Sequence, residues 1–209
     1  MKFIISSSEL LRKLQILGSI LNTNNTLPIL DNFLFDIKES NLIITSSDLE
    51  TSLSSEISIE STINIMIAIP AKLLIDILKS LPDQPLTFSI SNNILEINSN
   101  NGKYALSYMD GDEFPKSVII EDAKEVSFSS KILLNIINST IFASGNDDLR
   151  PVMSGVFFQV SNENSCFVAT DAHKLVKYVR NDINSENLIE FIVPNKPLNI
   201  LKSILPEKM

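Results

Sequence analysis

Asp48, which follows Ser47, and Asp171, which follows Thr170, stand at corresponding points of an internal repeat. Paired carboxylates are the raw material of general acid–base chemistry. Nothing around them completes such a site. His173 is the only histidine and Cys166 the only cysteine, so a Ser-His-Asp or Cys-His arrangement, or a zinc centre, has almost nothing to be built from. Five glycines in 209 residues leave little for a glycine-rich phosphate loop. An Asp after Ser or Thr at the end of a strand is more often a turn or cap residue. Catalysis is therefore disfavoured, and neither metal nor cofactor is expected. Cys166 excludes an internal disulfide and is expected to be a buried structural thiol, since it aligns with Ile43 in a strand.

The remaining chemistry is electrostatic, and it is sorted by element. Helical periodicity runs over about 8–21, 71–81, 130–144 and 195–205. In the first segment Leu10, Leu14, Leu17 and Leu21 form an apolar stripe with Arg12, Gln15 and Ser19 opposite. The second sets Leu74, Ile77, Leu78 and Leu81 against Lys72, Asp76 and Lys79. The third sets Leu133, Ile136 and Ile137 against Lys131, Asn135 and Asn138, and the fourth Leu198, Leu201 and Leu205 against Lys196, Asn199 and Ser203. Prolines 70 and 194 mark the starts of the second and fourth helices. These segments are basic although the whole chain carries a net charge of −8. Local field rather than net charge governs association, so a polyanion-facing surface is compatible with an acidic protein.

The elements recur. Phe3-Ile4-Ile5-Ser6-Ser7 aligns with Val126-Ser127-Phe128-Ser129-Ser130, Leu30–Ile37 with Met153–Val160, Ile44–Asp48 with Phe167–Asp171, and Ile69-Pro70-Ala71-Lys72 with Val193-Pro194-Asn195-Lys196. A unit of this length is a domain rather than a solenoid repeat. The expected organisation is a first domain over 1–122 and a second over 123–209. Met209 corresponds to about position 85 of the first copy, so the second domain is expected to be C-terminally incomplete, and strands around Phe157 and Phe167 to lose neighbours. Alternating runs at Phe33–Ile37, Leu42–Thr45, Phe88–Ile90, Ile94–Ile97 and Tyr104–Tyr108 predict antiparallel strands. The fold class is α+β, two helices on a strand-rich scaffold per domain, with a smaller pseudo-repeat inside each. No apolar run approaches a membrane span, and the N-terminus has no secretory pattern. A cytoplasmic protein is expected, with no role for the sequons at Asn24 and Asn138.

Thr26-Leu27-Pro28-Ile29-Leu30 with Asn32, Thr45–Glu50, Gly111-Asp112-Glu113-Phe114-Pro115, Ala169–Leu175 and Val193-Pro194-Asn195-Lys196 together resemble the bacterial DNA polymerase III beta subunit family, the sliding clamps. The resemblance runs over nearly the whole chain in order. It implies three such domains per full-length chain, of which the third is absent here, and a head-to-tail homodimer ring of six domains around double-stranded DNA. It implies a processivity factor of DNA replication without catalytic site, whose partners are the replicative polymerase, the clamp loader and repair proteins carrying a short linear motif. DNA contacts carried over from the family fall on Arg12, Asn24, Lys72, Lys131, Asp147 and Lys196, where Asn24 replaces a frequent Arg and Asp147 a frequent Gln. Partner contacts fall on Arg150, Val152, Met153, Thr170, Ala172, His173, Lys174 and Leu175, where the family often has Tyr-Leu at 152–153, Gly at 172 and Arg at 174. The subunit interface falls on Lys72, Leu73, Leu74, Tyr104 and Leu106. Read without the resemblance, the residues leave two alternatives open: an α+β module that binds protein or lipid through an apolar cleft, and an enzyme with a carboxylate site.

Overall fold

A computed structural model describes residues 2–22, 25, 27–61, 64–100, 102–116, 121, 123–147 and 149–205; Asn24 and Thr26 of the motifs above lie outside the described residues. The chain divides into two compact units, 1–119 and 120–209.

Unit 1 begins with strand β1 (Lys2–Ser6), which turns Phe3 and Ile5 inward. Helix α1 (Ser7–Leu17) starts where the Ser6 hydroxyl accepts the Glu9 amide, and it buries Leu10, Leu14 and Leu17. It stops at Gly18, short of the expected end near residue 21. Residues 19–21 continue in looser turns, and the buried Ser46 hydroxyl donates to the Leu17 carbonyl at 2.8 Å, satisfying one of the helix's last acceptors. A Cβ on Gly18 would lie 3.3 Å from Ile75 Cδ1, so glycine lets the end of α1 approach its neighbour helix. Strands β2 (Asn32–Lys38), β3 (Asn41–Ser47), β4 (Ser52–Ser58), the short β5 (Glu60–Ser61) and β6 (Asn64–Pro70) follow. Then come α2 (Ala71–Ser80), β7 (Pro85–Ser91), β8 (Ile94–Ser99), β9 (Gly102–Ser107) and β10 (Met109–Asp110).

These strands form two antiparallel sheets, ordered β5-β1-β7-β8-β9 and β10-β6-β2-β3-β4. The unit is two halves, β1-α1-β2-β3-β4 and β6-α2-β7-β8-β9, as the smaller pseudo-repeat predicts. The halves exchange leading strands: β1 pairs with β7 of the second half, and β6 with β2 of the first. The helices lie side by side, and their apolar stripes join both sheets in one core. Phe3, Phe33, Phe35 and Phe88 are fully buried there, with Phe3 stacked on Phe88 at 4.8 Å. Burying each such ring is worth about 2–3 kcal/mol.

Unit 2 repeats the first half and the opening of the second. Helix α3 (Ser130–Thr140) is capped by Ser129, whose hydroxyl accepts the Ile132 amide, and passes into a 3-10 turn at Ile141–Ala143. Strands β11 (Gly155–Val160), β12 (Ser165–Thr170), β13 (Leu175–Arg180) and β14 (Ile189–Pro194) form one sheet ordered β13-β12-β11-β14, and α4 (Asn195–Ile204) follows Pro194. The register is that of unit 1: Phe157 faces Ile192 as Leu34 faces Ala68. Phe158 stacks on Phe191 and meets Phe167 edge-on, each at 5.1 Å. Cys166 is buried, as expected.

Two expectations need correcting. The strands carrying Phe157 and Phe167 keep neighbours on both sides, because β14 and β13 flank them. Residues 126–129, the counterpart of β1, are not a strand, because the described residues of unit 2 contain no counterpart of β7 to pair with them. An apolar groove lined by Val126, Phe128, Leu133, Phe158, Phe191 and Leu198 opens there instead.

Candidate functional site

Within each unit the paired helices turn polar faces away from the core. Arg12 is exposed opposite the leucine stripe of α1, and Lys72 and Lys79 are exposed on α2 with Asp76 between them. On α3, Lys131, Asn135 and Asn138 follow one another on an exposed strip, and on α4 Lys196 precedes the exposed Asn199 and Ser203. Among the described residues no carboxylate forms an ion pair with Arg12, Lys72 or Lys131. Asp76 on α2 apart, these faces present long cationic side chains beside short neutral ones and no aromatic ring, a chemistry suited to phosphate contact without base readout.

Asp147 has a different setting. Its carboxylate accepts from the Leu149 amide and from Arg150 Nε, both at 2.9 Å, and these bonds hold it below the usual carboxylate range. It is an anion that organises its own loop. Among the DNA-contact candidates Asn24 falls outside the described residues.

The eight partner-contact candidates come from two segments of unit 2. One is the 3-10 turn Pro151–Met153 preceded by Arg150; the other runs from the end of β12 to the start of β13. Gly145 links them. Its N–H donates to the Met153 carbonyl at 2.8 Å, and a Cβ placed on it would touch Met153 and Asp171. Asn195, at the start of α4, fixes the same loop by accepting from Ser144 Oγ and donating to the Gly145 carbonyl. Asp171 builds the second segment: its carboxylate accepts from the amides of His173 and Lys174 and pairs with the Lys174 ammonium. Together these bonds hold its carboxyl far below its ordinary value, the Lys174 side chain first among them. Thr170 Oγ1 accepts the Ala172 amide, and Ala172 sits at φ 72°, in the left-handed region that favours glycine. His173 is an exposed residue of this turn. Val152 and Leu175 are 67% and 66% exposed, which makes the surface apolar as well as shaped. Leu149 and Phe142 are also exposed but belong to no motif in the sequence, and only their lack of a helical or strand stripe hinted at it.

Unit 1 carries the same turn. Asp48 accepts from the amides of Glu50 and Thr51, Ser47 Oγ accepts the Leu49 amide, and Leu49 has φ 77°. Both duplicated aspartates are therefore turn residues with their lone pairs occupied by backbone amides. Among the described residues no cluster of three metal-ligating side chains occurs, and the carboxylate-enzyme alternative loses its site.

Of the interface candidates, Lys72 and Leu73 are exposed and Tyr104 is half-buried on β9, the edge strand of its sheet. Leu74 and Leu106 are core residues.

Residues 1–118 match the family model of the DNA polymerase III beta subunit, N-terminal domain, and residues 127–208 that of its central domain. The beta sliding clamp of Staphylococcus epidermidis is 30% identical over 217 residues, covering 99% of this chain and 57% of its own length. The DNA polymerase III subunit beta from Pseudomonas aeruginosa superimposes with a TM-score of 0.91 at 29% identity, over 99% of this chain and 57% of that one. A sliding clamp from the same organism, bound to griselimycin, superimposes with a TM-score of 0.87 at 29% identity over the same shares. The chain thus spans little more than half the length of these relatives. No helix among the described residues is long and apolar enough to cross a membrane.

Proposed function

The chain belongs to the DNA polymerase III beta subunit family, and from that membership we propose that it acts in a sliding clamp. Such a clamp encircles double-stranded DNA and tethers the replicative polymerase for processive synthesis. Residues 1–122 and 123–209 are the first and second clamp domains in this reading. The observation that carries it is the set of cationic, acid-poor, aromatic-free faces on α1, α2, α3 and α4, which recur at equivalent places in both units. A ring holds its track by topology, so contacts with phosphate need only be weak and blind to sequence. Arg12, Lys72, Lys131 and Lys196 make those contacts, and the protein has no catalytic role of its own.

The polymerase, the clamp loader and repair proteins dock on the exposed apolar surface of Val152, Met153 and Leu175, framed by Arg150, Thr170, Ala172, His173 and Lys174. The capture of a related clamp with griselimycin supports a ligand-accepting surface in this family. Lys72, Leu73 and the β9 edge join a second chain in a homodimer, in the cytoplasm. The test replaces Arg12, Lys72, Lys131 and Lys196 together by Glu in the full-length protein and measures retention on circular DNA. Retention is expected to fall whatever the DNA sequence; unchanged retention at physiological salt would sink the DNA-lining role.

A further inference from the structure

The two units tie down the turn that leads into their first long strand in different ways. In unit 1 the tie comes from Asn32, the first residue of β2, whose Nδ2 donates to the Pro28 and Ile29 carbonyls at 3.2 and 3.1 Å. Asn32 stands opposite Pro70, and the residue after Pro70 is the buried Ala71, whose side chain can make no hydrogen bond.

In unit 2 both positions change. Gly155 takes the place of Asn32, opposite Pro194 in the same register. A Cβ on Gly155 would fall 2.5 Å from the Val193 carbonyl oxygen, so the backbone of β14 leaves no room for a side chain there. Asn195 takes the place of Ala71, and it supplies the tie from the first turn of α4 instead. Its Nδ2 donates to the Gly145 carbonyl at 2.9 Å, its Oδ1 accepts from Ser144 Oγ at 2.8 Å, and its backbone N–H donates to the Ser154 carbonyl at 3.0 Å. These bonds reach the loop on both arms, at 144–145 and at 154. The arms are joined to each other by the Gly145 N–H, which donates to the Met153 carbonyl at 2.8 Å.

We propose that Asn195 is a positioning residue for the partner-docking surface: from the start of α4 it holds both arms of the loop, so that Val152 and Met153 are presented in one geometry. The inference rests on the docking reading given above. A loop ordered before its ligand arrives spares the ligand the cost of ordering it. Loss of the tie is therefore felt as weaker binding, beyond any loss of stability.

The test titrates griselimycin, the ligand of the related clamp, into the full-length protein. Asn195→Asp keeps an acceptor for Ser144 and suits the first turn of a helix, but it has no proton for the Gly145 carbonyl. It is expected to bind about tenfold more weakly, with a thermal midpoint no lower than that of Ile183→Val. That second variant truncates the core of unit 2 outside the loop and is expected to keep the parent affinity. Asn195→Ala restores the residue of unit 1 and is expected to weaken binding likewise, which covers a failure of Asn195→Asp to fold. Hydrogen exchange of the Gly145 amide is expected to quicken in both Asn195 variants. Unchanged affinity or unchanged exchange in them overturns the proposal, as does an equal loss of affinity in Ile183→Val. Failure of the unaltered protein to bind griselimycin overturns the docking reading itself, and this assignment with it, so the two failures are told apart.

Discussion

Asp171 gathers two backbone amides and the Lys174 ammonium onto one carboxylate. Its folded-state pKa is therefore depressed below the unfolded value of about 4. The stabilisation that follows is complete above that unfolded value and is lost as pH falls through the folded one. The urea midpoint of Asp171→Asn is accordingly expected to lie below that of the parent at neutral pH, with the gap narrowing in acid. In unit 1, Asp48→Ala removes the acceptor for two turn amides and is expected to cost about 1 kcal/mol in urea denaturation. Ala172→Gly works the other way. Relief of a left-handed backbone at φ 72° is expected to stabilise unit 2 by about 0.5–1 kcal/mol, measurable as a rise in its thermal midpoint. The duplicated Asp was legible in the sequence as a turn residue because Ser or Thr precedes it in both copies. Its strained neighbour was not, since a positive φ at Leu49 or Ala172 is imposed by the turn and leaves no mark on residue type.

The exchange of leading strands between the halves of unit 1 makes each half depend on the other. β1 has no partner within its own half, and its neighbours β5 and β7 lie beyond β4 in the chain. A polypeptide of residues 1–59 is therefore expected to stay unfolded by circular dichroism, while residues 1–116 give a cooperative transition. Phe114→Ala in that unit removes a ring enclosed by Ile29, Leu30 and Ala68 and is expected to lower stability by about 3 kcal/mol in urea denaturation. Helices and long strands were legible because their apolar stripes have a clear period. Other features depended on contacts far away in sequence. The early stop of α1 follows from Ser46 and the packing of Gly18 near Ile75, and the two-residue β10 has no pattern of its own. The run Val126–Ser129 reads as a strand and is not one, because alternation creates an edge but a ladder needs a second chain segment. The burial of Leu74 and Leu106 in the core was likewise not legible from residue type, since whether a leucine faces out is decided by the element packed over it.

At the scale of the molecule the two units carry separate cores, one gathered on Phe3, Phe33, Phe35 and Phe88, the other on Phe158 and Phe167. Among the described residues, unit 2 has the open groove and no strand beside β14 on its outer edge. It is expected to open at lower free energy than unit 1, which native-state hydrogen exchange would show as weaker protection of β14 than of β2. Cys166 turns that difference into a chemical signal. It is the only thiol in the chain, it is buried in β12 between Gln159 and Val179, and nothing in unit 1 can react in its place. A thiol reagent added to the native protein therefore times the opening of unit 2 alone. The labelling rate would slow when a ligand occupies that unit and stay indifferent to events confined to the other, so the unmodified protein already contains its own site-specific stopwatch.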